Sequence, residues 1–244
     1  MNVVNVMGEW AQVFMLTLIA GVAMPVGAAI ASIERIHPHW LETEVRHSVI
    51  AFGGGALLAA VALVLVPEGI CNLPLVVIVV CFAGGGVAFM FLDMRLAASK
   101  ATASQLVAML SDFIPEALAL GATFALSKDT GFLLAGIIAL QNLPEGFNAY
   151  RELKASTDYS APQIIGAFAL MALLGPLAGL SGYFILSDYP QLVSGIMLFA
   201  AGGILYLIFQ DIAPQAKLKK HWVPSLSGVA GFLLGVVGKV VLAT

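Results

Sequence analysis

Two short stretches of this chain place acids and amides among apolar residues. Residues 112–116 read Asp-Phe-Ile-Pro-Glu, and residues 141–146 read Gln-Asn-Leu-Pro-Glu-Gly. In each, an oxygen-bearing side chain (Asp112 or Gln141) stands four residues before a glutamate (Glu116 or Glu145). On a helix that spacing puts both side chains on one face, one turn apart. In each, a proline (Pro115 or Pro144) immediately precedes the glutamate. Proline has no N–H and its ring clashes with the carbonyl four residues earlier, so it kinks the helix and frees the carbonyls near Ser111 and Leu140. Asp112, Glu116, Gln141, Asn142 and Glu145, with those carbonyls, make an oxygen-rich donor set of the kind that holds a hard cation. The plainer alternatives are protonated packing groups, amide hydrogen bonds between helices, and ordinary proline kinks. No Lys or Arg lies at a similar depth. Three unpaired carboxylates cannot all stay ionised among apolar helices, so either they hold protons or a mobile cation neutralises them.

The apolar surroundings are a property of the whole chain. Of its 244 residues, 60% are hydrophobic and 10% charged, where a soluble domain carries about 25% charged residues. The mean hydropathy is +0.99. This composition reads as an all-α, polytopic membrane protein. A span needs about 20 mostly apolar residues. Eight candidates meet that length: 10–33, 47–66, 73–92, 103–126, 131–150, 163–186, 191–211 and 223–242. The expected architecture is a single transmembrane domain over residues 1–244, an eight-helix bundle. The N-terminus lacks the basic stretch of a signal peptide, so the first run reads as a permanent span. A net charge of −3 with no concentrated basic face argues against a nucleic-acid partner.

The distribution of Lys and Arg tests the count. With the N-terminus outside, Arg35, Arg46, Arg95, Lys100, Arg151, Lys154, Lys217, Lys219 and Lys220 all fall on the cytoplasmic side. Only Lys128 and Lys239 fall outside, and Lys239 can snorkel from the end of the last span. Both termini are therefore expected outside. The chain also repeats itself. Residues 52–69 read FGGGALLAAVALVLVPEG and residues 199–216 read FAAGGILYLIFQDIAPQA, an offset of 147 residues. With eight spans these two run in opposite directions, an inverted-repeat plan common in secondary transporters.

The remaining polar groups lie nearer the ends of spans. Glu68 reads as an outer mouth, and Asp211 with Gln210 as an inner exit. Asp93 reads as an interfacial partner of Arg95 or Lys100. His37, His39, His47 and His221 fall in cytoplasmic loops or at their edges, and none lies deep in a span. Cys71 and Cys81 have no zinc-site spacing. An intramembrane enzyme fits poorly, because the chain has no HExxH, no GxSxG and no convincing nucleophile–base pair.

The Gln-Asn-Leu-Pro-Glu-Gly stretch, paired with Asp112-Phe-Ile-Pro115-Glu116, resembles the metal-site motifs of the ZIP family of divalent-metal transporters. The family's fourth span carries a motif of the form HNxPEG. The eight spans and the proline-ended second and seventh spans agree with it. The resemblance implies cation passage into the cytoplasm by alternating access, through a site between the fourth and fifth spans. It implies Asp112 in place of a histidine ligand, with Glu116, Gln141 and Glu145 completing the site. Three further positions depart from the family. Phe113 stands where a second-site Asn often lies. Gly175-Pro176 replaces a Glu-Pro of the sixth span, and Gln210-Asp211 replaces a His-Glu pair of the seventh. One principal cation is therefore expected rather than two. The His-rich loop after the third span is missing. Zinc, manganese and iron are the leading substrates. Oxygen ligation favours the harder ions, while the resemblance keeps zinc among them. No prosthetic cofactor is implied. The expected partners are the transported cation and the lipid bilayer, with a homodimer left open. The location is a multi-pass cell membrane, the inner membrane if the source is bacterial. Two other readings stay open: a proton-coupled transporter of another solute, and a non-transporting ZIP-like sensor or scaffold.

Overall fold

The computed structural model describes residues 8–33, 39–99, 104–218 and 221–242. Arg35, His37, Lys100, Lys219 and Lys220 lie outside these residues. The described residues form only helices. We number eight rods: α1 (Glu9–Ile33), α2 (His39–Ala60, Val61–Leu65 and Val66–Ile70), α3 (Leu75–Ser99), α4 (Ser104–Leu126), α5 (Lys128–Ser156), α6 (Ala161–Ala172, Leu174–Ser181 and Gly182–Leu186), α7 (Pro190–Leu207, Ile208–Ile212 and Ala213–Ala216) and α8 (Val223–Leu242).

Each rod coincides with one expected span, and most run longer than expected. α2 begins at His39, α3 continues past Asp93 and Arg95 to Ser99, and α5 reaches Ser156. Charged residues do not end a helix by themselves, since Arg, Lys and Glu are good helix formers. The ends come instead from caps and from proline. The Ser127 side chain accepts the Thr130 N–H at the start of α5. Ser160 and Gln163 form a capping box with Pro162 in the first turn of α6.

Seven rods are long and apolar enough to cross a membrane. The chain is thus an integral, multi-pass membrane protein by the length and composition of its helices. α5 falls short of that measure because of its own Gln141, Asn142, Glu145 and Asn148. It is nevertheless central, packing against α1, α2, α4, α6 and α8. Thus the most polar rod sits where other helices, rather than lipid, surround it.

The rods pack in two groups. α1, α4, α5 and α6 lie together, while α2 packs on α7 and α8, and α3 on α7. The groups meet where α5 touches α2 and α8 and where α4 touches α7. Within the groups, four close crossings rest on reciprocal glycines, at which a Cβ would collide with a carbonyl oxygen of the facing helix. Gly27 abuts Leu143 while Gly146 abuts Met24, and Gly121 abuts Gly179 while Gly182 abuts Leu118. Likewise Gly55 abuts Gly228 while Gly231 abuts Phe52, and Gly85 abuts Phe199 while Gly202 abuts Phe82. Small residues of this kind let backbones approach in lipid, where dispersion contacts replace hydrophobic driving force.

The 147-residue offset has structural correlates. Phe52 and Gly55, shifted by that offset, become Phe199 and Gly202, which play the same part in the α3–α7 crossing. A π-turn spans Val61–Leu65 in α2, and another spans Ile208–Ile212 in α7, again 147 residues on. Each precedes a proline, Pro67 or Pro214. Pro67 cannot donate to Leu63, and the Leu63 carbonyl instead accepts from Lys239 Nζ of α8 at 2.6 Å. Lys239 therefore serves a freed carbonyl of α2 as well as reaching the surface. At one end of the bundle, Glu9 of α1 bonds Lys128 of α5 at 2.8 Å and Tyr183 of α6 at 3.0 Å.

Candidate cation site

Pro115 and Pro144 lie inside continuous helices, so the two acid-bearing stretches stay helical through their prolines. The crossing of Gly146 with Met24 holds α5 against α1, and Gly53 of α2 leaves room for Pro144, whose ring would lie 2.9 Å from a Cβ there. The glycine that follows Glu145 is thus a packing residue, and the proline before it seats against the other helix group.

The centre of the site is a contact between α4 and α5. Gln141 Nε2 donates to both carboxylate oxygens of Glu116, at 2.8 and 2.6 Å. Both side chains are fully buried. One turn away on α4, Asp112 is buried, and the ionisable groups nearest it are the carboxyls of Glu145, Glu116 and Asp211. Glu145 is half-buried and faces Glu116. The four carboxyls therefore share one electrostatic neighbourhood, in which protons or a cation must neutralise most of them. Asn142 Nδ2 donates to the Ala20 carbonyl of α1 at 2.9 Å, so this residue ties the site to α1.

Six buried side-chain oxygens in the described structure have no hydrogen-bond partner: Asp112 Oδ1, Gln141 Oε1, Asn142 Oδ1, Asn148 Oδ1, Thr123 Oγ1 and Ser48 Oγ. Buried polar atoms are nearly always satisfied, so each such atom calls for an explanation. Five of the six lie on α4 or α5, and the first four are sp² oxygens that can only accept. The unsatisfied acceptors thus gather on the same two helices as the buried carboxyls. Among the described residues no three His, Cys, Asp or Glu side chains stand close enough to hold a metal ion by themselves. An ion here needs the amide oxygens of Gln141 and Asn142 beside the carboxylates. Calcium- and magnesium-like ions routinely accept such mixed oxygen shells.

Phe113 is fully buried between α1 and α6. The tip of its ring lies 3.0 Å from where a Cβ of Gly21 would be and 2.6 Å from one at Gly175. The volume beside Asp112 is therefore filled by an aromatic ring, and the two glycines make room for it.

The other expected pathway residues are spread along the bundle. Asp211 lies in the π-turn of α7 and faces Asp93 and Glu152 in addition to Asp112. Asp93 accepts from Tyr206 Oη at 2.9 Å, across the α3–α7 contact, so it has a tyrosine partner that sequence reading did not supply. Gln210 is exposed. Glu68 is half-buried at the end of α2, and its carbonyl accepts weakly from Ser194 Oγ of α7 at 3.5 Å. His221 Nδ1 lies 3.4 Å from Glu44, at the end of the bundle remote from Glu9. Thr123 and Asn148 escaped the sequence reading. The signal for them was present, since each stands seven residues beyond a residue already singled out.

A comparison of the chain with protein-family models finds no match, and a comparison with curated proteins finds none either.

Proposed function

We propose that this chain is a ZIP-like transporter of divalent metal cations, with one principal ion bound between α4 and α5. The observation that carries this reading is the coincidence of buried carboxylates and unpartnered acceptor oxygens at one contact. Among the described residues the ionisable groups around Asp112 are Glu145, Glu116 and Asp211, while Gln141 and Asn142 each carry a buried carbonyl oxygen without a partner. Protonation neutralises the acids and gives each carboxyl a single O–H donor, whereas one cation neutralises several acids and accepts several oxygens together. A cation answers both needs at once.

In this reading Asp112, Glu116 and Glu145 supply charge, and Gln141 and Asn142 supply neutral oxygens. Phe113 fills the place of a second ion. The eight rods form an inverted repeat with both termini outside, supported by the 147-residue offset shared by glycine crossings and π-turns. The group α1, α4, α5 and α6 moves against α2, α3, α7 and α8, exposing the site to each side in turn. Asp211, Asp93 and Glu152 lie on the cytoplasmic exit. The ion class is zinc, manganese or iron, and the direction is uptake.

The test is uptake into proteoliposomes across Zn²⁺, Mn²⁺, Fe²⁺, Co²⁺, Cd²⁺ and Mg²⁺, with a Glu116→Ala/Glu145→Ala variant alongside. Saturable uptake of at least one ion, reduced at least a hundredfold in the variant, is the expected outcome. A folded parent protein that carries none of them sinks the proposal and favours a proton relay or a scaffold.

A further inference from the structure

Thr123 and Asn148 stand in the same relation to the two residues at the centre of the site. Thr123 lies seven residues after Glu116 on α4, and Asn148 lies seven residues after Gln141 on α5. Seven residues is two helical turns to within about 20°, so each shares the face of the residue that makes the Glu116–Gln141 hydrogen bond, about 10 Å further along the axis. The two helices run in opposite senses through their connection at Ser127. Thr123 therefore lies on the Ser127 side of that hydrogen bond, and Asn148 lies on the far side.

Both carry a buried oxygen without a partner, Thr123 Oγ1 and Asn148 Oδ1. Thr123 is 3% exposed. In a helix a threonine hydroxyl readily bonds the carbonyl three or four residues back, as Thr17 does here to Val13 at 2.8 Å. Thr123 makes no such bond. Along the face that joins the two ends of α4 and α5, unsatisfied oxygens thus recur at Thr123, at Gln141 and Asp112, and at Asn148. Their spacing follows the direction in which an ion must travel, and a packing role gives no reason for it.

We propose that Thr123 and Asn148 are the steps adjoining the cation site, one on each side, where an oxygen of the protein replaces a hydration water as the ion arrives or departs. This rests on the divalent-cation reading above and adds two residues to it. A step about 10 Å from the bound ion lowers the barrier to passage without contacting the ion at rest. Removing it slows transport and leaves equilibrium binding alone.

The experiment uses the full chain with Thr123→Val and Asn148→Leu, measuring Zn²⁺ and Mn²⁺ uptake in proteoliposomes and binding of the same ions in detergent. The expected result is a fall in uptake rate of about fivefold or more for each variant, with the dissociation constant changed less than about twofold. Thr123→Ser, which keeps the hydroxyl, restores uptake. If the two oxygens are mere packing defects, Thr123→Val and Asn148→Leu melt at higher temperature and transport at the parental rate, which overturns the proposal. Equal loss in Thr123→Val and Thr123→Ser also overturns it, because a hydroxyl step tolerates serine. Failure of the underlying reading looks different: Glu116→Ala/Glu145→Ala then transports like the parent, or the parent carries neither ion.

Discussion

The acid-bearing stretches of α4 and α5 look like copies in the sequence, and the structure uses them differently. Motif against motif, Glu116 corresponds to Glu145, 29 residues on. In space, Glu116 pairs with Gln141, 25 residues on, and the glycine crossings at Gly121 and Gly146 keep that same 25-residue offset. The two glutamates consequently differ. Glu116 is fully buried and accepts from Gln141 Nε2 on both carboxylate oxygens. Glu145 is half-buried and faces Glu116 without such a donor. A motif records which residue types recur, whereas the helix contact records which of them meet. One carboxylate is held in position by an amide and the other is not.

Glycine replacement probes the framework common to both stretches and has the largest expected effect. Gly121→Val and Gly146→Val each push a side chain into a facing backbone oxygen, at Gly179 and Met24. Neither variant is expected to yield monodisperse protein on size-exclusion chromatography. Normal yield for one and not for the other would break the equivalence of the two crossings. A conservative charge removal separates the glutamates themselves. Glu145→Gln is expected to weaken ion binding by about tenfold or more, with little change in melting temperature. Glu116→Gln gives up a charge-assisted hydrogen bond, of a kind that contributes about 1.5–3 kcal/mol, so it is expected to lower thermal stability as well as affinity. If both variants behave alike in a thermal melt, the distinction between a held and a free carboxylate is wrong. The smallest effect concerns the matching π-turns of α2 and α7. Lys239 serves the carbonyl freed by Pro67, and its replacement in Lys239→Met is expected to cost about 1 kcal/mol or less, as for a solvent-accessible hydrogen bond. A two-degree or smaller fall in melting temperature with unchanged uptake fits that role.

Much of the architecture was legible in advance because it depends on local properties. All eight expected spans coincide with helical rods among the described residues, and the 223–242 span matches its rod at both ends. The largest departures lie at polar ends: α2 starts eight residues earlier than expected and α3 runs on to Ser99. Hydropathy marks where a helix becomes soluble in lipid, and His39 and Ser99 lie outside that zone while remaining helical. The site residues Asp112, Glu116, Gln141, Asn142 and Glu145 were visible as polar interruptions in apolar runs. Their partners were not. Nothing in the spacing of Asp93 suggests Tyr206, 113 residues away. Nor does the sequence suggest that Asn142 meets Ala20 or that Lys239 meets Leu63.

The sequence by itself determined that the chain belongs in a membrane, where each helix runs, and which oxygen-bearing groups must lie within the bundle. These follow from composition, from the 1.5 Å rise per residue and from the cost of exposing polar groups to lipid. The tertiary structure alone decided which faces meet: Gln141 on Glu116, Phe113 between Gly21 and Gly175, and oxygens left unsatisfied at Thr123 and Asn148. Helical periodicity fixes a residue's angle around its own axis. Which neighbour lies at that angle depends on where backbones can approach, and here glycines scattered over all eight helices set those approaches.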